Sequence, residues 1–256
     1  NVEDKYFDQA AADQAFWLLT DKTGSDGLGT DIVTNVDVLR FGDKEVRLKV
    51  FKDTENGFYQ GTDYDDKIEI EVSEDSYAWN TFVEAGKGDD TVIGSVTSDT
   101  VILGAGDDFA DGGSQEAGDT GAGDMGHGMS MGGGNTGDVV EYQGEFDRYV
   151  VTTVNGDDLE ASSLVSADFL ARIQTLDAAA EAPQYLISNT KITVVQDTVT
   201  GKNSTGTDVL INLEKLRFSD GEFNLAVTSE MWGDPMDQMG WAEVNWRGTL
   251  GDDRIV

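Results

Sequence analysis

Between residues 85 and 111 an apolar or small residue follows an aspartate by two positions, three times in succession: Val92 after Asp90, Val101 after Asp99, Ala110 after Asp108. The aspartates stand nine residues apart, each preceded by a glycine-rich or small-residue turn. This pattern predicts very short strands separated by tight turns, with the apolar residue facing inward because strand side chains alternate faces. Further along, VVEYQGEFDRYVVTTV (139 to 154) reads as two strands, with Val140, Tyr142, Tyr149 and Val151 as core positions. SADFLARIQTLDAAAEA (166 to 182) predicts the one helix: Ser166 can cap it, Phe169, Ile173 and Leu176 share a face, and Pro183 stops it. KITVVQD (191 to 197) and DVLINLEKLRFSD (208 to 220) predict more strands. The fold class expected is therefore predominantly all-β.

Two repeats organise the chain. The short one has nine residues: AGKGDDTVI (85 to 93), GSVTSDTVI (94 to 102) and LGAGDDFAD (103 to 111), with outlying copies GTDYDDKIE (61 to 69), GGNTGDVVE (133 to 141) and GTLGDDRIV (248 to 256). The long one aligns GTDIVTNVDVLRFGDKEVRL (29 to 48) with GTDVLINLEKLRFSDGEFNL (206 to 225) without gaps, and ten of the 20 positions are identical. AFWLLTD (15 to 21) likewise reads like ITVVQD (192 to 197). The offsets, 177 residues for the long pair and 187 for the 61/248 pair, give slightly more than one period of a tandem array.

The nonapeptides resemble the repeat of the RTX family of secreted calcium-binding proteins, G-G-x-G-x-D-x-U-x with U a large apolar residue. The resemblance implies a calcium-binding parallel β-roll joined to β-rich capping units with one short helix. Thr97 stands where the second copy should have its fourth-position glycine, and Leu103 where the third should have its first. The resemblance assigns Asp90, Asp99 and Asp108 as side-chain ligands, with Asp66, Asp138 and Asp253 as equivalents in the outlying copies. The metal sites it implies also include the turn residues Gly86, Gly88 and Asp89, and Gly104, Gly106 and Asp107. Calcium takes roughly 6 to 8 oxygen ligands at about 2.3 to 2.6 Å, so carboxylates and turn carbonyls of neighbouring coils can close a cage. Several Ca2+ ions are expected, acting as staples because each coil alone buries little.

On this frame residues 1–50 read as the C-terminal half of a cap unit, 51–141 as the roll with insertions at 70–84 and 112–134, and 139–228 as a complete cap unit. Residues 229–247, with Trp232, Trp241 and Trp246, read as a linker, and 248–256 as the start of the next roll. A cap covers strand backbone that an open roll end would expose to aggregation.

Charge and composition narrow the partners. Fifty acidic against 17 basic residues leave a formal charge of −33, which opposes compaction unless cations bind. Nucleic acid and anionic membranes favour basic patches and are not expected partners. With no cysteine there are no disulfides or thiolate metal sites. No apolar run is long enough to predict membrane insertion. Catalytic constellations are poor: the single histidine, His127, lies in GDMGHGMSMGGG, too glycine-rich to orient a base, and Met125, Met129 and Met131 around it make a weak soft-metal set. No catalytic residue, organic cofactor or enzymatic activity is expected.

The resemblance implies secretion by a type I machine and a place outside the cell or on its surface, as a calcium-dependent structural or adhesive segment of an adhesin, surface-layer protein or extracellular fibre. Calcium, cell-surface or matrix contacts, and self-association, including end-to-end joining of separate chains, are the partners expected. The alternative is the accessory repeat region of a secreted hydrolase, peroxidase or haemolysin.

Overall fold

The computed structural model describes residues 2–4, 16–20, 30–42, 44–71, 80–95, 97–113, 137–179, 184–201, 203–225, 228–232 and 243–247. They form two compact units, residues 1–49 and 50–256. The protein is predominantly β with mixed sheets.

In the first unit β1 (Val2–Asp4), β2 (Phe16–Thr20) and β3 (Thr30–Thr34) form an antiparallel sheet in that order. The strands β4 (Val38–Arg40) and β5 (Glu45–Arg47) pair as a separate hairpin. Trp17 and Leu48 are the buried apolar residues of this unit among those described.

In the second unit β6 (Phe51–Asp53) and β7 (Phe58–Gln60) form a hairpin, after which successive strands alternate between two sheets. β8 (Lys67–Glu69), β10 (Thr91–Ile93) and β12 (Phe109–Asp111) lie in one. β9 (Asn80–Lys87), β11 (Ser98–Ala105) and β13 (Val139–Glu141) lie in the other, beside β7. Neighbours within each series are parallel. One lap through both sheets takes 18 residues where the nonapeptides are contiguous: Val83 pairs with Val101, and Val92 with Ala110.

The chain then leaves the stack. β14 (Tyr149–Asn155), α1 (Gly156–Ser162), α2 (Ala167–Ala179) and β15 (Lys191–Asp197) precede β16 (Thr207–Ile211), β17 (Lys215–Phe218) and β18 (Gly221–Asn224). β16 pairs in parallel with β12, and β17 with β13, so the segments expected as roll and cap share both sheets with no break at residue 141. The completed orders are β14-β15-β16-β12-β10-β8 and β18-β17-β13-β11-β9-β7-β6.

Period-two alternation divides the side chains between two cores. Ile68, Val92, Ala110 and Leu210 from the first sheet meet Tyr59, Val83, Val101, Val140 and Leu216 from the second. Val209 and Ile211 point the other way, against Phe169 and Ile173 of α2 and Leu159 of α1. Of the expected core residues, Val140, Tyr142 and Tyr149 are buried and Val151 packs at the margin.

Two expectations change. There are two helices, not one: Asn155-Gly156 carries a turn composition, yet Asn155 opens α1, Asp157 and Asp158 favour its N-terminal dipole, and Leu159 anchors it. The α2 start is as expected, with the Ser166 hydroxyl accepting the Phe169 N–H at 3.1 Å. The linker contains a hairpin, β19 (Thr228–Trp232) with β20 (Glu243–Arg247). Among the described residues no helix is long and apolar enough to cross a membrane. The glycine tract with His127 and the methionines, Pro183, and the 248–256 copy with Asp253 lie outside the described residues.

Candidate carboxylate ladders

Parallel stacking in register places the same repeat position of successive laps side by side, and this sorts the candidate aspartates onto two edges. On the first edge the run is Asp66, Asp90, Asp108 and, unanticipated, Asp208. Each carboxylate accepts the backbone N–H of the aspartate one lap earlier: Asp90 Oδ1 from Asp66 (2.8 Å), Asp108 Oδ1 from Asp90 (2.8 Å), Asp208 Oδ1 from Asp108 (3.3 Å). On the other edge Asp138 Oδ1 accepts from Asp99 (2.7 Å) and Glu214 Oε2 from Asp138 (2.7 Å). Thr81 is in register with Asp99.

A third, exposed run uses the preceding repeat position in the opposite sense. Asp65 Oδ1 accepts the Asp89 N–H (2.7 Å), Asp89 Oδ1 the Asp107 N–H (2.9 Å), and Asp107 Oδ1 the Thr207 N–H (2.9 Å). Asp89 and Asp107 therefore tie turns together from outside, while the ladder aspartates do so from within.

The turns close tightly enough to require glycine. A Cβ at Gly104, where φ is +107°, would lie 1.9 Å from the Gly86 carbonyl oxygen, and one at Gly106 equally close to that of Gly88. At Gly61 the Cβ position is 1.9 Å from Ala85 O and 2.9 Å from Asp66 Oδ2; at Gly112 it is 2.2 Å from Asn212 O and 2.6 Å from Asp138 Oδ2. Carbonyl oxygens, with a carboxylate oxygen as well at Gly61 and Gly112, thus lie close against the turns.

Burial leaves the ladders electrically unfinished. Asp90, Asp99, Asp108 and Asp138 are essentially inaccessible, and Asp90 Oδ2, Asp99 Oδ1 and Asp108 Oδ2 have no hydrogen-bond partner. Loss of hydration raises Asp90 to about 8, with the carboxylates of Asp108 and Asp66 adding to it. Burial likewise raises Asp108 to about 7 and Asp99 to about 6, and it shifts Asp66 and Glu214 upward. A column of buried carboxyls with spare oxygens suits a proton or a hard cation. Among the described residues, no three His, Cys, Asp or Glu side chains group to hold a metal between them.

Two side chains from outside the nonapeptides finish the first edge. The Tyr142 hydroxyl donates to Asp208 Oδ2 at 2.8 Å, so the last rung is satisfied within the protein. Arg172, on α2, donates from Nη1 to the Asp89 carbonyl at 2.6 Å and from Nη2 to the Asp107 carbonyl, while its guanidinium carbon sits 4.6 Å from the Phe169 ring centroid. Its charge also opposes the rise at Asp108, where burial is the larger influence.

Sequence spacing thus found Asp66, Asp90, Asp99, Asp108 and Asp138 as one undivided set, and the structure sorts them into a column of Asp66, Asp90 and Asp108 and another of Asp99 and Asp138. Asp208 and Glu214 were missed. The signal for Asp208 was present, since Gly206-Thr207-Asp208 repeats the glycine-x-aspartate of 88–90 and 106–108. No family model, no curated protein and no solved structure matches the chain.

Proposed function

We propose that the second unit is a parallel β-roll stapled by several Ca2+ ions, and that the protein is a calcium-dependent structural or adhesive segment of a secreted bacterial surface protein of RTX type. The observation that carries this reading is the set of buried, half-satisfied carboxylates, Asp90, Asp99 and Asp108, stacked beside glycine turns. Their donors are all oxygen, which excludes a preference for soft metals and favours calcium or magnesium. Calcium tolerates irregular, higher-coordinate cages, and one carboxylate per lap with several turn carbonyls supplies such a cage without three acidic side chains meeting. Turn carbonyls lie close beside both edges, Ala85 O at Gly61 and Asn212 O at Gly112, and support the fit.

Calcium-coupled folding follows from the charge. With −33 on the chain, low calcium leaves the buried carboxylates repelling one another and starved of hydration, which favours an open chain. External calcium neutralises the columns, orders the laps and stiffens the segment, adding RT ln(1 + [L]/Kd) of stability per independent site, about 2.7 kcal/mol at a hundredfold excess over Kd. The test is far-UV circular dichroism and sedimentation of chelator-treated protein during calcium titration. A cooperative gain of β signal with compaction, and little response to magnesium, is expected; unchanged spectra and sedimentation would refute the reading.

A further inference from the structure

The first unit repeats, strand for strand, the part of the second unit that closes its stack. All five pairs between β2 and β3 recur between β15 and β16, so Trp17 opposite Val33 matches Thr193 opposite Leu210. The β4–β5 register, Val38 to Arg47 through Arg40 to Glu45, is that of Lys215 to Asn224 through Arg217 to Glu222. The closing bond Leu48 N–H to Asp37 O is repeated by Leu225 N–H to Glu214 O. Even the backbone strain is kept: Asn35 and Asn212, between the third and fourth strands, have φ of 54° and 53°.

The two copies differ on one edge. In the second unit the free side of β16 pairs with β12 and that of β17 with β13. Val209 N–H there donates to Asp108 O and Lys215 N–H to Asp138 O. In the first unit β3 pairs with β2 and β4 with β5, and among the described residues no strand lies on their other side. The side chains record the difference. Ile32, the counterpart of fully buried Val209, is 69% exposed, and Phe41, the counterpart of Phe218 (4%), is 39% exposed. Asp31 and Asp37 occupy the positions from which Asp208 and Glu214 accept the N–H groups of the last lap's aspartates.

We infer that the first unit is a receiving cap for the last lap of another nonapeptide stack, one presented by a second copy of residues 50–141. Its β3 and β4 take that lap's equivalents of β12 and β13 in parallel register, with Asp31 and Asp37 as terminal rungs. The internal copy identifies the occupant: the same strands, register and left-handed asparagine carry such a lap in the second unit. The inference rests on the roll reading above, since an uncovered lap exists only where nonapeptides stack. It gives the first unit a partner of defined kind, a nonapeptide stack whose last lap has no cap of its own.

The test extends the full chain at its start with a second copy of residues 50–141, whose last lap is uncovered, or with residues 50–228, whose last lap is already covered. Amide hydrogen exchange is read in calcium. Ile32 and Val38 amides are expected to slow by about a hundredfold in the first extension alone, reaching the protection of Val209 and Lys215, and Ile32→Lys should return Val38 to fast exchange while Val209 stays slow. The Phe109 amide of the added copy, which donates within the stack, reports that the copy has folded. Equal exchange at Ile32 and Val38 in all three chains, equal slowing by both extensions, or an added lap left unfolded beside the first unit overturns the inference. Unprotected Val209 and Lys215 amides in the unextended chain, at saturating calcium, would instead bring down the roll reading, and this inference with it.

Discussion

Asp108 and Asp197 are both buried aspartates in neighbouring parts of one sheet system, and the protein treats them in opposite ways. Asp197, whose side chain is inaccessible, accepts Arg148 Nε (2.9 Å) and the Val199 N–H on Oδ1, and Arg148 Nη2 (2.5 Å) and the Thr205 N–H (2.7 Å) on Oδ2. Although burial pushes it up, those donors hold Asp197 well below the usual carboxylate range. Asp108 accepts one backbone N–H on Oδ1 and nothing on Oδ2, and burial raises it to about 7. One carboxylate carries its own counter-charge; the other is left with a buried oxygen that no protein donor meets. On the calcium reading proposed above, the region around Asp197 is unconditional structure and the ladder is conditional structure.

The sharpest way to break the comparison is to withdraw calcium. At pH 7.5, chelation should abolish the β ellipticity contributed by the nonapeptide laps, and readdition should restore it; a spectrum indifferent to chelation would place Asp108 in the same class as Asp197.

Acidification should partly replace calcium. A carboxyl raised in the folded state favours folding fully below its unfolded value of about 3.8, and the contribution is lost as pH rises to about 6 for Asp99, 7 for Asp108 and 8 for Asp90. Asp197 runs the other way, contributing above about 3.8 and losing it as pH falls below. Metal-free protein should regain β signal between pH 8 and about 4.5; a loss over that range would contradict the assignment.

Next in size is Asp197→Ala, which removes the shared acceptor of Arg148 and of the Val199 and Thr205 N–H groups and should cost about 3 kcal/mol in urea unfolding at saturating calcium. Tyr142→Phe should cost about 2 kcal/mol, because Asp208 Oδ2 then becomes another buried orphan. Asp108→Asn should change sign with conditions: about 1 kcal/mol more stable than the parent in chelator at pH 8, where no charge is buried, yet needing roughly tenfold more calcium to fold. A loss of stability in both conditions would show that Asp108 is not a conditional rung.

The contiguous laps were legible because a nine-residue spacing is a local property. Asp90, Asp99 and Asp108 can be read without knowing what they touch, and the inward Val92, Val101 and Ala110 follow from strand alternation. Membership of the later rungs is not local. Val101 meets Val140, Ala110 meets Leu210, and Val140 meets Leu216, across 39, 100 and 76 residues. A glutamate at 214 serves where an aspartate was sought, because its longer side chain reaches the same N–H. The helix α1 was hidden by Asn155-Gly156, whose turn composition outweighs the single buried Leu159 in a seven-residue segment. Arg172 gave no signal at all, since its partners are backbone carbonyls 65 and 83 residues away.

The long excursion between β13 and β16 returns to the same register that the contiguous laps keep in 18 residues. Pairing depends only on where the chain re-enters, so the fold is a chassis on which inserts of very different length can be grafted.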